Sequence, residues 1–219
     1  MMKDKYNMTK EENIFFAKKY IKDSIYREAN LEGILITFPQ TEAILENAKV
    51  NNISSKDISK VFYLKNAWEY TLNNIDKPLD LAFLEDIHIE VAKEDVSWDM
   101  LGKPRTQMVR ISGTNYYPPL PNFNEIHNQL QEYNNIECVT ERAINVLLYL
   151  MRTQPFLDGN KRVAAFACNK ILIENGKGIY SVPVEKLNQF SKLLSEFYIS
   201  NEMSNIKEFI YEYCIEGTN

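Results

Sequence analysis

The chemically richest stretch of the chain is Gln154-Pro155-Phe156-Leu157-Asp158-Gly159-Asn160-Lys161-Arg162. It gathers a carboxylate, amides and two cations between two segments that are apolar on nearly every face, Ala143–Met151 (AINVLLYLM) and Val163–Ile173 (VAAFACNKILI). Helices of that composition are buried all round, and a polar atom left unpaired in such surroundings costs about 1–3 kcal/mol. A helix is expected to open at about Asn160, where the first backbone N–H groups have no internal partner. Free donors, the positive end of the helix dipole and the cations of Lys161 and Arg162 then converge, which suits an anion and above all a phosphate. Gly159 lets a ligand approach the backbone. Asp158 is the kind of hard oxygen ligand that holds Mg²⁺ beside phosphates. The competing reading is a plain helix–turn–helix corner, with Asp158 as a cap and the cations in solvent.

The elements that must position this loop are helical. Period-3.6 patterns dominate and period-2 patterns are nearly absent, so the expected class is all-α with about eight helices. Candidates run from Thr9 to Leu31, with Gly33 at the C-cap, then Pro39 to Asn47, Ser55 to Asn73 and Leu79 to Lys93. Beyond the next helix, Asn122–Tyr133, come the two apolar segments. Amphipathic stretches at Val184–Ser200 and Asn205–Cys214 close the chain. The pattern breaks at 97–121, SWDMLGKPRTQMVRISGTNYYPPLP, which contains one short strand-like run, MVRI. An excursion of that length in a compact domain is usually functional. Trp68 and Trp98 are expected to anchor core or loop, His88 to be a packing residue, and Cys168 to be an inert buried thiol.

Composition excludes several classes. There are 25 Lys and Arg against 30 Asp and Glu, a net charge of −5, which argues against nucleic-acid binding by bulk electrostatics. Apolar residues make up 45% and charged residues 25%, ordinary values for a folded chain. No apolar run approaches the roughly 18 residues that cross a membrane. The start, MMKDKYNMTKEEN, has no signal-peptide pattern. Cys138, Cys168 and Cys214 are far apart and fit a reducing cytoplasm.

The stretch TQPFLDGNKR resembles the signature of Fic-domain proteins, H-P-F-x-[D/E]-G-N-[G/K]-R, matching at Pro155, Phe156, Asp158, Gly159, Asn160, Lys161 and Arg162. Upstream, Gly102-Lys103-Pro104-Arg105 and Met108 to Thr114 resemble the family's flap, a β-hairpin that docks a target peptide. The resemblance implies a Fic-like helical bundle with a small hairpin flap and one domain over residues 1–219. Within it, N-terminal helices would occupy about 1–50, the core about 55–200 and a C-terminal helix about 203–219. It implies transfer of AMP from ATP to Ser, Thr or Tyr hydroxyls of a target protein, or of the chain itself, with no nucleic acid or membrane partner. Residue by residue, Asp158 would bind Mg²⁺. Gly159 and Asn160 would hold the phosphates, Arg162 would neutralise them, Lys161 would sit beside the α-phosphate, and Phe156 would anchor the loop. Met108, Val109, Arg110 and Ile111 would pair with the target by strand addition.

Three departures qualify that expectation. The family's catalytic histidine is replaced by Gln154. Glutamine has no titratable group near neutral pH, and loss of a general base costs about 10²–10⁴-fold in rate. Lys161 replaces a common glycine and is shared with the Doc branch, whose members phosphorylate their targets, although Doc has alanine where this chain keeps Gly159. Finally, Glu28-Ala29-Asn30-Leu31-Glu32-Gly33 resembles the family's inhibitory motif [S/T]-x-x-x-E-[G/N], but Glu28 replaces the Ser or Thr. The arginine expected three residues after Arg162 is Ala165, so inhibition by Glu32 is expected to be weak or differently wired. A degenerate ATP-binding protein and a Doc-like kinase are the alternatives to an adenylyltransferase of low activity.

Overall fold

The computed structural model describes residues 2–218. Among them are nine α-helices: α1 Lys10–Leu31, α2 Phe38–Leu45, α3 Ser55–Asn73, α4 Leu81–Val91, α5 Phe123–Tyr133, α6 Val139–Thr153, α7 Asn160–Glu174, α8 Leu187–Ser200 and α9 Ser204–Phe209. Side chains set most of the starts. Thr9 and Thr37 form capping boxes with Glu12 and Gln40, while Ser54, Asp80 and Asn122 accept N–H bonds from the first turns of α3, α4 and α5. For α6 the acceptor comes from far along the chain: Asp4 Oδ1 takes the Thr140 N–H at 2.9 Å. Helix α9 runs into a π-helical turn, Ile210–Cys214, where the sequence pattern suggested one continuous helix.

At the centre of the fold, α7 packs along α6 and touches α1, α3 and α4. Every residue from Arg162 to Ile173 is buried, as a helix apolar on all faces requires. One continuous core runs from Phe16 and Ile25 on α1 through Trp68 on α3 to Phe197 on α8. Trp68 stacks edge-on against Phe166. Trp98 does not anchor anything in the core. It is 85% exposed, on a single 3₁₀ turn of the excursion.

The two-stranded antiparallel pair lies away from the excursion. It joins β1 (Ile179–Tyr180) to β2 (Ile215–Glu216), pairing Ile179 with Glu216 and Tyr180 with Ile215. The run MVRI forms no regular strand, and its loop closes through Ile111 N–H to Tyr116 C=O at 3.2 Å. Arg105 is what shapes this segment. Its guanidinium donates to the carbonyls of Gln107, Pro118 and Pro119 within the excursion, and to those of Thr153 and Gln154 at the end of α6. Its backbone N–H donates to Pro155 C=O at 3.0 Å. Arg105 is 2% exposed and has no carboxylate partner among the described residues.

Candidate active site

Helix α6 ends where Gln154 takes a left-handed conformation (φ 51°, ψ 63°) and turns the chain out of the core. Asn160, the first residue of α7, then knits the loop together. Its side chain accepts the Phe156 N–H at 2.8 Å and donates to Phe156 C=O at 2.8 Å and to Gln154 Oε1 at 3.1 Å. Gln154 Nε2 donates back to Met151 C=O, so both ends of that amide are engaged. Phe156 is fully buried and stacks on His88, with ring centroids 4.0 Å apart. His88 accepts the Gly102 N–H at Nδ1 (2.9 Å) and bonds Asp158 C=O at Nε2 (3.2 Å), which assigns the Nε2–H tautomer. Burial pushes the His88 pKa down to about 4, so it is a neutral brace between α4, the excursion and the loop.

Gly159 precedes α7 at φ 75°, and a Cβ there would meet Ala92 Cβ at 3.3 Å. No side chain caps α7, unlike α1 to α5. Its N-terminus opens into a 370 Å³ cleft lined by Gln154, Leu157, Asp158, Gly159, Asn160 and Lys161. The opposite walls are Leu31 and Glu32 after α1, Val109 to Ser112 of the excursion, and Ser191, Leu194, Ser195 and Tyr198 of α8. Asp158 is exposed, with one oxygen on the Gly159 N–H at 2.6 Å.

Glu32 crosses this cleft to Lys161 at 3.0 Å and to Arg162 Nε at 3.2 Å. Arg162 also reaches Asp95 at 2.7 Å and Val91 C=O, and Asp95 in turn binds Lys60 at 2.7 Å. Burial acts to raise the Glu32 pKa, but the charges of Lys161 and Arg162 outweigh it and hold the carboxyl below its usual range. One turn earlier on α1, Glu28 is buried and its Oε1 has no hydrogen-bond partner. Burial first, then the charge of Glu32, pushes its pKa up to about 8, so Glu28 is protonated at neutral pH.

The fold thus brings Gln154, Asp158, Gly159, Asn160, Lys161, Val109, Arg110, Ile111 and Glu32 to one cleft. Phe156, Arg162, Met108, Glu28 and Gly33 do not line it. Phe156 lies beneath the loop, and Arg162 is 4% exposed, held by Asp95 behind the loop and by Glu32 from the cleft wall, with Asp158 3.6 Å away. Glu32 lacks an arginine at 165 yet has two cations one turn earlier on α7. The sequence reading missed Arg105 and Asp95, whose partners are remote, and the wall supplied by Tyr198.

Residues 78–172 match the model of the Fic/DOC family. Among solved structures, Fic-1 from C. elegans superposes with a TM-score of 0.71 at 20% identity, over 89% of this chain and 59% of that one. A Fic domain containing signaling protein from Bacteroides thetaiotaomicron gives 0.74 at 17%, over 94% and 85%. BepC from Bartonella tribocorum, with bound AMPPNP, gives 0.53 at 14%, over 72% and 86%. No curated protein matched the sequence. At these identities the structural likeness carries the fold, whereas the family-model match covers α4, the excursion and the loop between α6 and α7. Residues 78–172 are therefore similar to the Fic/DOC family, and the chain as a whole shares the fold of the Fic-domain structures it superposes on.

Proposed function

We propose that the cleft binds Mg²⁺-ATP and that the protein transfers AMP to a hydroxyl of a target protein, or of itself, at a low rate. The carrying observation is the uncapped N-terminus of α7, entered through left-handed Gly159 and flanked by Lys161 and exposed Asp158. Unpaired donors and a cation beside an open carboxylate suit a metal-bound phosphate tail. The AMPPNP in the BepC structure supports a nucleotide as the ligand.

The donor set fits a magnesium ion that arrives with the nucleotide. Asp158, with its carboxylate exposed at the cleft, would be the protein ligand of such an ion, beside phosphate oxygens and water. Magnesium would offset phosphate charge. Gly159 and Asn160 present the backbone to the phosphates, while Val109 to Ile111 offer main-chain edges to the acceptor segment. Gln154 stands where a base would take the hydroxyl proton and cannot accept it. The whole chain acts as one unit, with the N-terminal helices supplying Glu32. That carboxylate competes with phosphate for Lys161, so Glu32 restrains binding through different cations from those the sequence pattern suggested.

The engaged amide of Gln154 favours a second reading, a nucleotide-binding protein without chemistry. One assay separates the readings: wild type, Gln154→His, and Gln154→His with Glu32→Gly are incubated with ATP labelled at the α- or γ-phosphate. We expect α-label on protein, raised about 10²–10⁴-fold by the histidine and further by loss of Glu32. Retention of γ-label alone means phosphoryl transfer. No label in any variant, with ATP bound, means a binding protein.

A further inference from the structure

The charged groups lining the cleft are Glu32, Arg110, Asp158 and Lys161. Lys161 is already held by Glu32, and Arg162 behind it is held by Glu32 and Asp95. Helix α7 therefore brings cations to the site that are neutralised before any ligand arrives. Arg110 differs. It is exposed, and it makes no ion pair or side-chain hydrogen bond with any described residue. It also borders a shallow groove formed with Gly113, Thr114, Asn115 and Ile199, which leaves its side chain room to swing. Its stem is braced, because Arg105 fixes the carbonyl of Gln107 and those of Pro118 and Pro119 on either side.

We propose that Arg110 is a ligand of the nucleotide's terminal phosphates, closing on them from the excursion, since it is free where Lys161 and Arg162 are held by acids before a ligand arrives. This rests on the nucleotide reading of the cleft and assigns Arg110 a role beyond main-chain pairing with a target. An arginine is suited to it because its planar fork meets two phosphate oxygens at once. The free guanidinium also supplies the positive charge that the cleft otherwise lacks, since Glu32 and Asp158 offset Lys161.

The test needs no catalysis, so Gln154 is retained. Mg²⁺-ATP and AMP are titrated calorimetrically into wild type, Arg110→Ala and Arg110→Lys. We expect Arg110→Ala to weaken Mg²⁺-ATP about tenfold to a hundredfold, the loss of one charge-assisted contact, with AMP unaffected and Arg110→Lys in between. Equal Mg²⁺-ATP affinity in wild type and Arg110→Ala overturns the assignment. So does an equal loss for AMP, which lacks the terminal phosphates. Should wild type bind neither nucleotide, the reading of the cleft falls and this inference with it. Thermal unfolding of Arg110→Ala should match wild type, because an exposed, unpartnered side chain holds nothing in the fold.

Discussion

Replacing Glu28 by glutamine should stabilise the protein by an amount set by pH. Glu28 is a buried carboxyl whose Oε1 has no partner, one turn from the ionised Glu32. It faces Glu32 just past the end of its own helix, Lys161 and Arg162 from α7, and the phenol of Tyr180 from β1. Its ordinary pKa of 4.5 is raised to about 8 in the folded protein. Below 4.5 the folded and unfolded states both carry the proton, and its contribution to stability is fully present. Between 4.5 and about 8 the unfolded chain sheds a proton that the folded protein keeps, so stability falls as pH rises, by about 1.4 kcal/mol per unit. Two and a half units separate 4.5 from pH 7, which gives about 3 kcal/mol. Glutamine has the shape of the protonated acid and needs no proton. The difference in unfolding free energy between Glu28→Gln and wild type, read from urea denaturation at successive pH values, should therefore grow steadily from about pH 5 to about pH 8. A difference that stays constant over that range would mean that Glu28 is ionised in the native state, and would refute the reasoning.

Two further perturbations report on the bracing of the site. His88, with its pKa pushed down from 6.5 to about 4, should generate the opposite slope: stability falls as pH drops from 6.5 to about 4, by about 3 kcal/mol in all, because only the unfolded chain takes up the proton. A signal assigned to the His88 imidazole, by its loss in His88→Gln, that titrates near 6.5 in the folded protein would contradict this. Arg105→Met should cost roughly 3 kcal/mol or more in urea unfolding, since buried carbonyls on both the excursion and the α6 end lose their donor. Arg105→Lys should recover only part of that, one ammonium being unable to span both sides. A lysine variant as stable as wild type would show that the fork is dispensable.

The sequence was informative wherever local rules decide the outcome. The helix Ser55–Asn73 has the bounds that its unbroken apolar spacing predicts. The buried pair α6 and α7 followed from apolar residues on all faces, and the chemistry of their junction from residue type alone. Contacts between distant segments were not legible. Arg105 lies among turn residues with no periodic pattern, and its partners at the end of α6, Thr153 and Gln154, are 48 and 49 positions away. Nothing near Arg162 indicates that Asp95 and Glu32 occupy it, so it read as a free cation facing a ligand. Trp98 was expected to anchor because tryptophans usually do, but the 3₁₀ turn that carries it points the ring outward. Glu32 stood out only through its resemblance to a motif, and its actual cations depend on how α1 meets α7.

The two attachments around the cleft are of different physical kinds. The Arg105 staple joins a cation to neutral carbonyls deep in the structure, while Lys161 and Glu32 meet at the cleft, where the Lys161 side chain is 35% exposed. Dissolved ions screen exposed pairs and reach buried contacts much less. A rise in ionic strength therefore weakens the Lys161 contact first, while the buried Glu32–Arg162 pair and the Arg105 staple hold their places, so salt changes the charge that Lys161 presents to the cleft without moving the walls around it.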